Sequence, residues 1–287
     1  MQQQRIAVIT GTSTGFGYQI AEKLTHAGIR VYGTMRDVAG RNAGAKSSLE
    51  ALGVTVVELD VTDQASVDRG AAAILAEAGH VDIVINNAGN SHSGVTEAFT
   101  PESIERQYAT NVIGPIRISR AFLPGMRERE SGLVVFVSSV VGRVVIPFLG
   151  VYASSKWALE ALAESLSYEL RPFDVDIAIV EPGAYATNIS NVRVAPDDTA
   201  RVEAYGATAK IFERVGAALA AGARDASEVG DAVLALVETP AGTRPLRTPV
   251  PAQSPAEAVN AAVTPIQRGV LEAYGLGELL PKTHVTA

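Results

Sequence analysis

The chain has 287 residues, 47% hydrophobic and 19% charged, with a net charge of −7 and no cysteine. That balance suits a soluble globular protein with a sizeable core. The acidic charge and the lack of a basic tract argue against a nucleic-acid partner, and disulfides, thiolate metal sites and cysteine nucleophiles are excluded.

Met1 to Arg5 runs straight into apolar sequence and is too short for a secretory leader. No run of 18 apolar residues suggests a membrane span, so a cytoplasmic protein is expected. Residues 5–10 form the first candidate strand and residues 15–26 the first helix. Between them lies Thr10-Gly11-Thr12-Ser13-Thr14-Gly15-Phe16-Gly17. Its glycines permit a tight turn that brings backbone N–H groups close to a pyrophosphate, and the helix start adds partial positive charge. No Gly-Lys-Ser/Thr follows, so the turn is not a P-loop. A second strand, 30–33, leads to Arg36 and Asp37. An acidic residue at such a strand end binds a ribose 2′-hydroxyl, whereas an arginine accepts a 2′-phosphate. Arg36 is the expected reader, favouring NADP(H) over NAD(H); an inward Asp37 would reverse the preference.

The third strand, 55–59, ends at Asp60 and Val61. The Asp60 carboxylate is placed to accept from an adenine amino group or to cap the next turn, although Asp63 is the better cap for a helix over 64–78. The fourth strand, 82–86, ends in Asn86-Asn87-Ala88-Gly89, suited to a sharp turn near a ligand. One long helix is expected over 101–129, with Asn111, a poor helix former, inside it. Strand 133–138 runs into the Ser138-Ser139 pair, and adjacent strand residues face opposite ways, so one hydroxyl at most faces a site. Helix 151–170 carries Tyr152 and Lys156 four apart on one face. An ammonium near a phenol lowers its pKa from about 10, fitting the tyrosine for proton transfer near neutral pH.

Strand 176–180 leads to Pro182-Gly183, after which residues 188–206 read as polar and irregular. Helical patterns follow near 208–221 and 227–238, then a weak strand at 245–248. The proline- and alanine-rich tail from Pro249 has a helix near 265–274. Strand–helix alternation with continuously apolar strands implies a parallel sheet covered on both faces. The expected organisation is one domain over residues 1–248, with 188–225 a substrate-side segment and 249–287 a tail packed on it. His26, His80, His92 and His284 show no pairing that suggests a metal site.

Taken together, the Gly11–Gly17 turn, Asp60, Asn86-Asn87-Ala88-Gly89, Asn111, Ser139, Tyr152-x-x-x-Lys156 and Pro182-Gly183 with Thr187 resemble the short-chain dehydrogenase/reductase family. The resemblance covers residues 5 to about 187; the last third departs in length and composition. It implies a three-layer, Rossmann-type doubly wound α/β fold with about seven parallel strands. It also implies a homodimer or homotetramer built on the helices carrying Asn111 and Tyr152. Cofactor contacts are implied at Gly11, Thr12, Ser13, Gly15, Phe16, Gly17, Arg36, Asp60, Val61, Asn87, Ala88, Gly89, Pro182, Gly183 and Thr187, besides Tyr152 and Lys156. The implied catalytic group is Asn111, Ser139, Tyr152 and Lys156, the family spacing of 13 residues before the tyrosine selecting Ser139 over Ser138. Tyr152 would be the general acid, Lys156 its activator and ribose ligand, Ser139 the carbonyl polariser, and Asn111 the support of a helix kink and a proton relay. Thr187 resembles the residue that bonds the nicotinamide carboxamide.

The implied activity is NAD(P)(H)-dependent interconversion of a carbonyl and an alcohol. A substrate pocket is expected from residues 91–95, 142–150 and those after Thr187. Val140, Val141, Val144, Val145, Ile146, Pro147, Phe148 and Leu149 suggest an apolar wall and hence an apolar ketone or aldehyde. Trp157 and Phe148 flank Tyr152 as pocket or core residues. The competing expectation is a catalytically silent dinucleotide-sensing or scaffold protein of the same fold.

Overall fold

The structure, a computed structural model, describes residues 4–185 and 193–280. Its sheet strands are β1 (Ile6–Thr10), β2 (Arg30–Met35), β3 (Thr55–Glu58), β4 (Ile83–Asn86), β6 (Gly132–Val137), β7 (Val175–Pro182) and β9 (Arg247–Val250). They form one seven-stranded sheet in the order β3-β2-β1-β4-β6-β7-β9, parallel throughout. Two short strands, β5 (Ser91–His92) and β8 (Arg193–Val194), pair separately.

The continuous apolar runs resolve into two faces because strand side chains alternate. Ala7, Ile9, Val135 and Val180 pack on one side with Ile20 and Leu24 of α1 (Gly15–His26), Leu49 of α2 (Ala43–Ala51) and Val233 of α9 (Ser227–Glu238). Val8, Val134, Phe136 and Ile179 pack on the other. There they meet Ile74 of α3 (Gln64–Ala78), Phe122 of α5 (Gly114–Glu128) and Leu159 of α6 (Gly150–Glu169). This is the expected three-layer, single-domain arrangement. The order reverses between β1 and β4, and such a reversal opens a crevice at the strands' carboxyl ends.

The structure corrects several expected elements. The helix over 101–129 is broken into α4 (Pro101–Tyr108), a π-turn (Ala109–Ile113) and α5. Pro115 has no N–H to offer the Asn111 carbonyl four residues back, so the hydrogen-bond register slips there. Helix α2 was not expected; it buries only Leu49, which leaves almost no periodic signal. The stretch expected to be irregular holds β8 and α7 (Thr199–Ala204), ahead of α8 (Ile211–Ala221). Strand β9 lies two residues later than expected and contains Pro249, tolerated because β9 is an edge strand. The tail helix is much longer than expected: α10 (Pro255–Ala273) starts at Ser254-Pro255 and runs through Pro265. Both prolines carry the helix-start signal, and the earlier one is the true first turn.

Candidate active site

The strand β1 to α1 turn crosses the crevice. Gly11 has φ of 71°, and a Cβ there would lie 2.8 Å from Ala88 Cα. At Gly17 a Cβ would lie 2.3 Å from the Gly11 carbonyl oxygen. Only glycine permits this close layering of turn, helix and the Asn87–Gly89 turn. Thr10 and Asn87 staple the layers: Thr10 Oγ1 accepts from the Asn87 and Ala88 N–H groups at 3.0 Å each, and Asn87 Nδ2 donates to the Thr10 carbonyl at 2.8 Å. The first turn of α1 has no acidic residue and no side-chain cap, leaving its N–H groups for an anion.

A cavity of about 560 Å³ runs along this crevice, within the usual range for a cofactor site. Gly11, Ser13, Gly15, Phe16, Arg36, Asp60, Val61, Asn87, Ala88, Gly89, Tyr152 and Lys156 all line it. Thr12 does not: its hydroxyl turns to the Thr34 carbonyl at 3.3 Å, so it braces β2. Gly17 lies beneath Gly11, and Pro182 and Gly183 close the β7 end. Thr187 lies outside the described residues.

At the far end, Arg36 is half exposed, its Nη1 3.6 Å from Asp60 Oδ2. Asp37 instead turns away, accepting from the Arg41 N–H at 3.1 Å. Arg41 adds a second guanidinium to the cavity lining, missed in the sequence because it precedes the unexpected α2. Asp60 Oδ1 accepts from the Thr62 N–H and hydroxyl at 2.8 and 2.7 Å. Burial would raise this carboxyl, but the Thr62 bonds and the Arg36 charge outweigh it and hold it below its usual range. Asp63 caps α3, as expected, accepting from Ala65 N–H at 3.0 Å. The glycine layering and the open helix start fit a dinucleotide with its pyrophosphate at the first turn of α1.

At the near end, β6 delivers Ser139 and α6 delivers Tyr152 and Lys156. Ser139 Oγ donates to the Pro182 carbonyl at 3.3 Å and accepts from the Val141 N–H at 3.3 Å. Ser138 faces the other way, toward Glu160. Lys156 Nζ donates to the Val137 carbonyl at 2.8 Å and lies 5.8 Å from the Tyr152 ring centre. Burial pushes the Tyr152 phenol up to about 12, against the Ser139 hydroxyl beside it. Burial also brings Lys156 down to about 8, against the pull of Glu160. The expected lowering of the phenol is thus not produced by the protein's own groups; the tyrosine is held in its proton-donating form. Asn111 sits in the π-turn with its amide fully engaged: Nδ2 donates to the Asn90 carbonyl (3.0 Å) and Ser155 Oγ (3.1 Å), and Oδ1 accepts from the Asn90 N–H (3.0 Å). Ser155, inside the Tyr152–Lys156 spacing, was missed because its partner is 44 residues away.

The expected apolar wall divides. Val141 and Leu149 are buried with Ala153, while Ile146 and Tyr152 pack against them. Val145 is 64% exposed. Phe148 stands at φ 68° against Phe212 of α8, ring centres 5.8 Å apart. Trp157 is not core: it is 42% exposed, beneath the Arg143 guanidinium.

The family model described as short chain dehydrogenase matches residues 5–197. The chain is 36% identical over 203 residues to the 3-ketodihydrosphingosine reductase of Bacteroides thetaiotaomicron, covering 71% of this chain and 72% of that one. Its fold matches the crystal structure of a short-chain dehydrogenase from Streptomyces avermitilis with a TM-score of 0.78 and 32% identity, over 96% of this chain and 97% of that one. It also matches an alcohol dehydrogenase from Thermococcus sibiricus complexed with 5-hydroxy-NADP, with a TM-score of 0.70 and 27% identity, over 86% and 96% of the two chains.

Proposed function

The chain belongs to the short-chain dehydrogenase family and is an oxidoreductase; on that basis we propose that it reduces an apolar ketone or aldehyde with NADPH, using Tyr152 as the proton donor. The nicotinamide, when bound, supplies the hydride that reaches the carbonyl carbon. The Ser139 hydroxyl donates to the carbonyl oxygen in place of its long bond to Pro182, and so favours charge developing there. The Tyr152 O–H gives its proton to that oxygen. Lys156, held by the Val137 carbonyl with its Nζ 5.8 Å from the Tyr152 ring centre, places an ammonium on the side of the phenolate that remains. Asn111 ties Asn90 to Ser155 and thereby sets the floor of the site against α6.

The observation that carries this reading is that Tyr152, with the Ser139 hydroxyl beside it, and Lys156 line the same cavity as the Gly11 turn and Arg36. Arg36 and Arg41 at the ribose end, with Asp37 turned away, support NADP(H) over NAD(H). Leu149 and the Phe148–Phe212 contact support an apolar substrate, and the Bacteroides relative is named a reductase of a 3-keto compound. We extend the proposal to a homodimer or homotetramer formed through the outer faces of α5 and α6. Consumption of NADPH and NADH against a panel of ketones and aldehydes tests the reaction. NADPH turnover with apolar ketones is expected; tight NADPH binding without turnover across the panel would favour a sensing protein.

A further inference from the structure

Glu181 is wholly buried on β7, one residue before Pro182, whose carbonyl accepts the Ser139 hydroxyl. The only hydrogen bond its carboxyl makes among the described residues comes from Asn260 Nδ2 on α10, at 2.7 Å to Oε2. Oε1 is left unbonded, 3.6 Å from Arg247 Nε. Arg247 is already engaged, its Nε with Glu160 Oε2 at 2.9 Å and its Nη2 with Glu164 Oε2 at 2.7 Å. Three carboxylates thus surround one guanidinium, so the Asn260 bond is what fixes the Glu181 side chain. A buried carboxyl that lost its only hydrogen bond would have to rotate or shift its strand end.

The strand end in question orients the proposed carbonyl polariser. Gly183 N–H donates to the Val250 carbonyl at 2.8 Å, so the backbone is held from β9, while the Glu181 side chain is held from α10. The Ser139–Pro182 bond is long at 3.3 Å, weak enough for a substrate oxygen to replace it. Moving the carbonyl closer would lock the hydroxyl away from substrate, and moving it farther would let the hydroxyl rotate freely.

We propose that Asn260 and Glu181 are positioning residues, through which the C-terminal helix α10 sets the Pro182 carbonyl and hence the Ser139 hydroxyl. The proposal rests on the reaction assigned above. It predicts a pH effect that a simple packing role lacks. The charged and titratable groups facing Glu181 are Glu160 from α6, Arg247 from β9 and Arg143 from the turn after Ser139, with Glu164 of α6 on the far side of Arg247. Asn260→Asp puts a second carboxyl against Glu181. The two share a proton at low pH, restoring the bond, and repel once both ionise.

The test uses Asn260→Ala and Asn260→Asp in the full chain, read by kcat and KM from pH 5.5 to 9 and by amide hydrogen exchange across residues 139–143. Asn260→Ala is expected to lower kcat about fivefold with little change in KM, as loss of one ordinary hydrogen bond would, and to speed exchange at the Ser139 turn. Asn260→Asp is expected to approach wild-type kcat at the acidic end and to fall away at the basic end. Wild-type kcat in Asn260→Ala, unaltered exchange, or an Asn260→Asp profile parallel to wild type would each overturn the proposal. Absence of turnover in the wild-type protein would sink the assigned reaction instead, while exchange would still decide the tether.

Discussion

At the scale of single residues, burial outweighs pairing at Tyr152, Lys156 and Glu181, whereas pairing outweighs burial at Asp60. Glu181 is raised to about 7 by burial and then by Glu160, against the Asn260 bond and the Arg247 and Arg143 charges. A carboxyl raised in the folded state binds its proton more tightly there than in the unfolded chain. Its stabilising contribution is full below the unfolded value near 4.5 and is lost as pH rises through about 7. At roughly 1.4 kcal/mol for each tenfold gain in proton affinity, the loss amounts to about 3 kcal/mol. The urea midpoint of the wild type should therefore fall between pH 5 and pH 8, and that of Glu181→Gln should fall less; equal slopes would contradict the assignment. The grouping of Tyr152, Lys156 and Ser139, on which the proposed chemistry rests, was legible because it is written in short, fixed spacings. The places of Asn260 against Glu181 and of Arg41 in the cavity lining were not, since they are set by the fold or by an element with almost no pattern.

At the scale of elements, α6 works on two sides. Ala153, Leu159 and Ala163 are buried inward, whereas Trp157 and Leu162 are 42% and 38% exposed on the outer side. Ile113, at the π-turn before α5, is 46% exposed as well. The surplus of apolar residues on this helix was visible in its sequence, and the structure shows that part of it remains uncovered within one chain. With assembly through α5 and α6, light-scattering mass at micromolar concentration should give a dimer or tetramer, and Trp157→Glu should lower it. A wild-type monomer, or a variant of unchanged mass, would contradict that interface. The break between α4 and α5 was not legible as a π-turn. Asn111 and Pro115 signalled a disturbance, but only the backbone reveals the slipped register.

At the scale of the whole molecule, the sheet was legible because each strand, buried on both faces, reads as an apolar run next to a helix pattern. Six of the seven sheet strands match their expected position to within one residue at one end or both, whereas the edge strand β9, interrupted by proline and half buried, is displaced at both ends. The C-terminal third was poorly legible since α10 buries little of itself, and the contact proposed to tie it to the site is one side chain, Asn260. What the architecture achieves is to bring the Gly11 turn, the Asn87–Gly89 turn, Ser139 and the start of α6 to the carboxyl ends of adjacent strands. The central claim is that Tyr152, held protonated there, transfers the proton of a carbonyl reduction. Tyr152→Phe removes one hydroxyl and keeps the packing, so it tests that claim most directly. The account predicts at least a thousandfold lower kcat, near the upper reach of general acid–base catalysis, with the NADPH dissociation constant within about twofold of wild type. Turnover within tenfold of wild type, at unchanged NADPH binding, would contradict it.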